Sequence, residues 1–551
     1  MATAAAARPR PATPSIGARP IGDIERFARA RPMFVTIALI LAAAPLLWPT
    51  IPPLVDLPNH MSRYRIGLDY GTSPYFRQWF DFHWALVGNL GVDLLATALA
   101  PLFGLELATK LVVMAIPVVT VAGMALIARE THGRVPLLAA FAFPFAYNFP
   151  LNFGFVNFAL AAGLAFLAFG FWLRLGRLDR RGLRAILFVP IGLLIWLAHA
   201  CGWGMLGIMV FAVELGDART RGMNWLRAAI AAGLACLPLT VAMVPMLHWF
   251  GGNALNGEMG LVYEPVRKIA LLFATLSDGH PSIDAISVLL VWLVLIAALV
   301  RKDLLFDRRL GLVAAAMLLT YLAMPAMLMG SYHSDVRIAP YAIALSLLSV
   351  RPAAATAFTR GLGIAAICFL IARTGYVAAS YASLDRAWSA QLEAIDHVAP
   401  GSKLFALARV ACLPNWEGDR MDHLNRMALV RRQAFTNGTW PPPGSQTLFI
   451  HPAMAAGYKG KAADNGSQML MPPACRLDPS NTISGALASF PRDRFDYVWL
   501  IDVPPAFWPT RTWLQPIWHG PKGILYRIVS PATARRDHRP HEVARRIAAE
   551  A

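Results

Sequence analysis

Charge is what this 551-residue sequence has least of: only 15% of its residues are charged against 57% hydrophobic, and its mean hydropathy is +0.49. Such a composition cannot clothe a soluble core in polar surface. A water-soluble globular protein is therefore excluded, and the apolar runs read as membrane helices. Acidic residues are scarce, 32 against 50 Lys and Arg, for a formal net charge of +18. That excess does not mark a nucleic-acid binder, because the arginines gather in short clusters between apolar runs. The five cysteines form no C-x-x-C pair and no Cys/His zinc spacing. Cys201, Cys236 and Cys368 fall in apolar runs as small packing residues. Cys412 and Cys475 lie in the polar C-terminal part, where they can pair if that part is outside the cytoplasm. The chain also lacks an internal repeat, a Walker loop and an H-E-x-x-H motif, which argues against an ATP-driven pump and a zincin.

What is present is a long alternation of apolar runs and arginine clusters. Residues 1–32, rich in Ala, Pro and Arg, predict a disordered cytoplasmic tail. The apolar run 33–49 follows as a retained first span, since the tail before it is longer than a signal-peptide n-region. Residues 50–105 form a first external loop. Its aromatics, among them Tyr64, Tyr70, Trp79 and Trp84, interleave with Arg63, Arg65 and Arg77, which suits helices lying in the headgroup plane. Placing all later arginine clusters in the cytoplasm excludes 86–103 as a full crossing. It leaves spans near 106–128, 135–149, 153–173, 185–200, 202–216, 228–248, 285–300, 311–329, 338–350 and 361–381. With the first, that is about eleven spans in a module 33–382, and an external C-terminus. Several are short for a hydrocarbon core of ~30 Å. From 383 to 530 short apolar runs alternate with helical stretches under Pro/Gly punctuation, which predicts a periplasmic α/β domain, followed by a basic tail, 531–551. The fold class expected is thus a polytopic α-helical membrane protein with interfacial helices and a C-terminal α/β domain.

The densest chemistry outside the spans is Val55-Asp56-Leu57-Pro58-Asn59-His60-Met61-Ser62-Arg63-Tyr64-Arg65, just after the first span. A carboxylate, an imidazole and two guanidinium groups there cost little only if they face water or substrate. The layout of one span, a long external loop with interfacial helices and an acidic residue near its start resembles the membrane glycosyltransferases of the GT-C fold. It resembles in particular those that use polyprenyl-phosphate sugars, as a distant relative of the lipid A aminoarabinose and protein mannosyl transferase group. The resemblance covers about residues 33–381, and a periplasmic C-terminal domain also suits it. It implies that Asp56 is the general base. A clear second acidic motif of the metal-dependent oligosaccharyltransferases and the Lys-Pro-Pro stretch of some relatives are missing, so sugar and acceptor are left open.

Each candidate carries a structural alternative. Asp56 can instead cap the helix that Pro58 begins. His60 and Arg63 share a helix face with Tyr64 and can line a donor headgroup, or snorkel toward lipid phosphates. In Ser331-Tyr332-His333-Ser334-Asp335-Val336-Arg337, Arg337 can clamp the donor phosphate with His333 and Asp335 beside it, or pair locally with Asp335. Tyr147, Asn148, Asn152 and Asn157 offer the amide and aromatic mixture that suits sugar faces and hydroxyls, but can equally satisfy backbone at a hairpin. His199 sits at a break between apolar runs and reads as a sugar-lining or a packing residue. Asp278, His280 and Asp284 can hold a divalent ion, although no spacing in the chain discriminates a metal site and no cofactor is otherwise implied.

The expected function is an inverting glycosyltransferase of the bacterial inner membrane. It moves a sugar from a polyprenyl-phosphate donor, held against the lipid bilayer, to a cell-envelope lipid, glycan or protein at the periplasmic face. Alternatives are a flippase for lipid-linked glycans, against which the nearly charge-free spans argue, and a non-catalytic membrane scaffold.

Overall fold

The computed structural model describes residues 21–251, 262–328, 333–410, 419–438, 447–451, 454, 468–470 and 482–529. Cys412, Cys475, Ser331, Tyr332, the 531–551 segment and residues 1–20 of the expected tail lie outside the described residues.

The first helix, α1 (Ile21–Leu47), begins inside the segment read as tail. The external loop folds as α2 (Leu57–Asp69), α3 (Phe76–Trp79), strand β1 (Phe80–Phe82) and α4 (Gly91–Phe103). Then come α5 (Leu105–His132), α6 (Phe149–Phe153), α7 (Val156–Arg177), α8 (Arg181–Ala198), α9 (Ala200–Thr220), α10 (Trp225–Thr240), α11 (Met243–Gly251) and α12 (Pro265–Phe273). The helical part closes with α13 (Pro281–Val300), α14 (Arg308–Ala323), α15 (Ala339–Leu348) and α16 (Ala357–Leu392), with β2 (Leu304–Phe306) pairing β3 (Val350–Pro352) between them.

This is a multi-pass membrane protein. Among the described residues six helices are long and apolar enough to cross a bilayer, and seven if α10 and α11, bent by 64°, make one span. Other expected passes are shorter apolar pieces, such as Ala339–Leu348. The run expected as a span at 135–149 is two 3-10 turns, Leu137–Phe141 and Phe143–Tyr147, leading into α6. Pro136, Pro144 and Pro150 recur too closely for a continuous α-helix to keep its N–H ladder. Tight helix pairs use small residues: a Cβ at Gly123 of α5 would lie 2.6 Å from the Leu167 nitrogen of α7.

The bundle has two chemically different ends. At one, arginines tie helix termini together: Arg177 to Glu130 (2.7 Å), Arg184 to Glu214 (2.9 Å) and Arg309 to Asp217 (2.6 Å). The other end carries the α2 loop, the α8–α9 break at His199, and the segments 274–280 and 333–338. A C-terminal module packs on this second end. It is built on β4 (Lys403–Arg409), α17 (Arg426–Arg432), β5 (Phe435–Thr436), β6 (Leu448–Ile450), β7 (Gln468–Leu470), α18 (Ile483–Ser489), β8 (Tyr497–Ile501), β9 (Leu514–Gly520) and β10 (Gly523–Ile528).

Its main sheet runs β5-β4-β8-β10-β9, with β4 and β8 parallel and β10 antiparallel to both β8 and β9. β4 and β8 are apolar almost throughout and buried on both faces, as a central strand pair must be. The module mixes strands and helices. The boundary at 383 is not a break, because α16 continues through it to Leu392. The first loop and the module share one core. β1 pairs antiparallel with β6, and Phe80 stacks on Phe435 with ring centroids 6.0 Å apart.

Candidate active site

Asp56 stands at the N-cap of α2, yet its side chain makes no capping hydrogen bond. Its backbone carbonyl accepts the His60 N–H (3.1 Å), the ordinary first bond of the helix. The carboxylate is therefore left for other partners, and it has one: His423 Nε2 lies 3.3 Å from Asp56 Oδ1. His423 stands just before α17, and α17 packs on α2, so the interface between these two helices sets the pair. Asp422 Oδ2 is 3.8 Å from the same nitrogen.

The loop bearing Asp56 is moulded onto the α6–α7 connection. The Val55 N–H donates to the Asn152 carbonyl (3.3 Å) and the Asp56 N–H to that of Phe153 (2.9 Å). Gly154 makes this approach possible. Its φ is +97°, and a Cβ there would meet the Asp56 nitrogen at 2.6 Å. Gly154→Ala is expected to cost at least ~1–2 kcal/mol from the left-handed backbone and to push the Asp56 loop away from the α6–α7 connection. The melting temperature of the purified variant checks the expectation.

Two further histidines are fixed by arginines. Arg63 Nη2 donates to His60 Nδ1 (3.0 Å), and Arg267 Nη2 to His333 Nδ1 (2.8 Å). A guanidinium has no acceptor, so both Nδ1 atoms are unprotonated and both imidazoles keep Nε2–H as a donor. Burial, then Arg63, lowers His60 to about 4; burial, then Arg267 and Arg337, lowers His333 to about 4. His423 goes the other way. Burial opposes its charge, but Asp422 and the hydrogen-bonded Asp56 outweigh burial and raise it above 6.5. The site thus holds two neutral donor histidines and one that favours the cation.

These shifts predict a pH dependence with a definite sign. Depressed values for His60 and His333 mean that the unfolded chain binds more protons than the folded one between about pH 4 and 6.5. Above 6.5 both states are neutral and the shifts cost nothing; as the pH falls from 6.5 toward 4 they destabilise the fold progressively. Melting curves of the purified protein should drop across that window, and the drop should shrink in His60→Gln and His333→Gln. His423 contributes oppositely, its share being lost as pH rises through its raised value.

The surrounding residues sort by what they touch. Arg63 Nε donates to Asp93 (2.8 Å), whose other oxygen accepts from Asn157 Nδ2 (2.8 Å), so Asn157 ties α7 to α4 beneath the loop. Tyr64 stacks on His60. Arg337, buried, lies over the rings of Phe155 (4.5 Å) and Phe158 (5.8 Å). His199 packs edge-on against Phe158, is within electrostatic reach of Arg337 and His60, and caps α9 by accepting the Cys201 N–H (3.1 Å). His333 adopts φ +59°, which seats its ring among Phe149, Phe153 and Phe155. Strain of that kind collects at functional sites.

Other candidates are engaged elsewhere. Asp335 pairs with Lys268 (3.4 Å) and accepts the Val336 N–H (2.9 Å). The Tyr147 hydroxyl donates to the Ala42 carbonyl (2.6 Å), and Asn148 caps α6. The Asn152 amide bridges the Ser277 carbonyl (2.8 Å) and the Tyr381 hydroxyl (2.6 Å). These three build the floor under Asp56.

Among the described residues no group of three or more His, Cys, Asp or Glu could hold a metal ion. Of the three residues considered for one, Asp278, His280 and Asp284, the two carboxylates pair with cations instead: Asp278 with Arg420 (3.0 Å) and Asp284 with Arg373 (2.5 Å). The donor set does not fit a metal. Sequence reasoning missed His423, Arg420 and Arg267. The only signal for the first two was the density of polar groups in Asp419-Arg420-Met421-Asp422-His423-Leu424-Asn425-Arg426.

No family model and no curated protein matches the chain. Among solved structures the chain is similar to ArnT from Cupriavidus metallidurans in the apo state, at 13% identity and a TM-score of 0.47, over 91% of this chain and 98% of that one. It is also similar to the same protein bound to undecaprenyl phosphate, at 14% identity and a TM-score of 0.42, over 91% and 98% of the two chains.

Proposed function

We propose that this chain is an inner-membrane glycosyltransferase that moves a sugar from a polyprenyl-phosphate donor to a cell-envelope acceptor at the periplasmic face. The observation that carries the reading is the carboxylate of Asp56. It declines the capping bond open to it and is held by His423 at the end of the bundle where Arg337 and Arg267 also converge. The arginine-tied opposite end is taken as the cytoplasmic side, in keeping with the preference of arginine for that face, and the reading puts Asp56 and the C-terminal module outside.

In this reading Asp56 takes the proton as the acceptor O–H bond breaks. The oxygen attacks the anomeric carbon from the face opposite the donor phosphate, and the C–O bond to that phosphate breaks with its electron pair leaving on the phosphate. Arg337 and Arg267 stabilise the charge that develops there, and His333 offers its Nε2–H beside them. Arg63, engaged by Asp93, orients His60. No step calls on a metal.

Lipid and glycan profiles of cells expressing Arg337→Ala test the phosphate role. At equal membrane level, one sugar-containing product should fall by about 100-fold and its lipid-phosphate donor should accumulate. An unchanged profile would remove Arg337 from the site.

A further inference from the structure

We propose that His423 is a positioning residue for Asp56, by which the C-terminal module completes the active site. The inference rests on the reading of Asp56 as the base. Its grounds are geometric. Asp56 stands immediately before α2 and His423 three residues before α17, and those helices pack together. His423 Nε2 reaches Oδ1 of Asp56 and is itself largely buried, with 13% of its side chain exposed. Among the described residues Nδ1 of His423 is buried without a hydrogen-bond partner, and the contacts of the ring nitrogens run to the carboxylates on the Nε2 side.

A carboxylate on a loop can rotate about two torsions, and only some rotamers aim an oxygen at an acceptor hydroxyl. Holding Oδ1 fixes that choice and leaves Oδ2 for the incoming proton. No proton leaves His423 in the transfer. The acceptor proton ends on Oδ2, while the His423 N–H to Oδ1 bond persists. The module thereby controls the base, so an acceptor that shifts the 419–425 segment alters Asp56 directly.

The charged groups facing His423 are Asp56 from the first loop, Asp422 and Arg426 from its own segment, and His60 from α2. The two carboxylates hold the imidazole toward its cation, which gives the 3.3 Å contact with Asp56 an ionic component.

The test uses the full-length protein in detergent and in cells. Hydrogen–deuterium exchange at the histidine C2 position, followed peptide by peptide by mass spectrometry, gives the titration midpoint of His423 without any assay of turnover. The midpoint should fall in Asp56→Asn and fall again when Asp422→Asn is added, while an unmoved midpoint in Asp56→Asn would overturn the pairing. In cells, His423→Phe should lower the sugar-containing product by roughly 10- to 100-fold, and His423→Gln, which keeps an N–H donor, should restore most of it. Full product from His423→Phe at equal membrane level would overturn the positioning role. If instead Asp56→Asn leaves the product unchanged, the transferase reading fails, and the exchange result still decides the pair.

Discussion

Asp56→Asn is expected to lower the sugar-containing product by about 10²–10⁴-fold, the range that a positioned general base supplies. The substitution preserves size and leaves the α2 N-terminus intact, because the Asp56 side chain makes no capping bond there. Its asparagine oxygen can still accept from His423. Membrane level and melting temperature should therefore stay near wild type while turnover collapses. Asp56→Glu adds a methylene in a loop pinned by two backbone bonds, so it should recover little. Profiles of both variants, normalised to membrane protein, check the expectation, and wild-type product from Asp56→Asn would dismiss the carboxylate from the chemistry.

Arg420→Met should give the largest loss of stability. Arg420 reaches from the module into the bundle, donating to the Pro53 carbonyl (2.6 Å), the Asn152 carbonyl (3.2 Å) and the Asp278 carboxylate (3.0 Å). Both side chains of the ion pair are buried, 4% and 0% exposed. Removing the guanidinium takes the ion-pair partner from buried Asp278, with Arg373 and the Ser380 hydrogen bond left to it, at a cost of about 3 kcal/mol, the low end for a broken buried pair. The same side chain holds the Pro53 and Asn152 carbonyls that flank the Asp56 loop, so activity should fall with stability. Adding Asp278→Asn removes the stranded charge and should recover part of the melting temperature, yet little of the product. A melting temperature unmoved by Arg420→Met would show that the buried pair contributes nothing.

How much of this was legible in the sequence follows from how local each signal is. Apolar runs and arginine clusters act over one helix length, so the multi-pass architecture and the two ends of the bundle could be read directly. Asp56 could be flagged because it follows the first span at once, and Arg337 because it stands at the mouth of α15. The 135–149 run was misread as a regular span since hydropathy is blind to where three prolines break the ladder. Asn148 and Asn152 look like sugar ligands in a string of letters. In the fold their amides are consumed by a helix cap and by carbonyl bridges.

His423 was out of reach for a different reason. Its partner is Asp56, at the far end of the chain, and only the α2–α17 interface joins them. Asp335 shows the same limit. Two residues from Arg337, it looks like a local partner, whereas the structure gives it to Lys268 across a helix. Gly154 likewise gains its meaning only from the Asp56 backbone lying against it.

The most direct test of the central claim is native mass spectrometry of full-length Asp56→Asn purified from cells in mild detergent. With the base removed and the phosphate-binding arginines intact, the variant should retain a bound polyprenyl phosphate carrying one sugar, and the mass difference should identify that sugar. Arg337→Ala in the same background should lose the adduct. A protein that carries no polyprenyl lipid in either background would contradict the account.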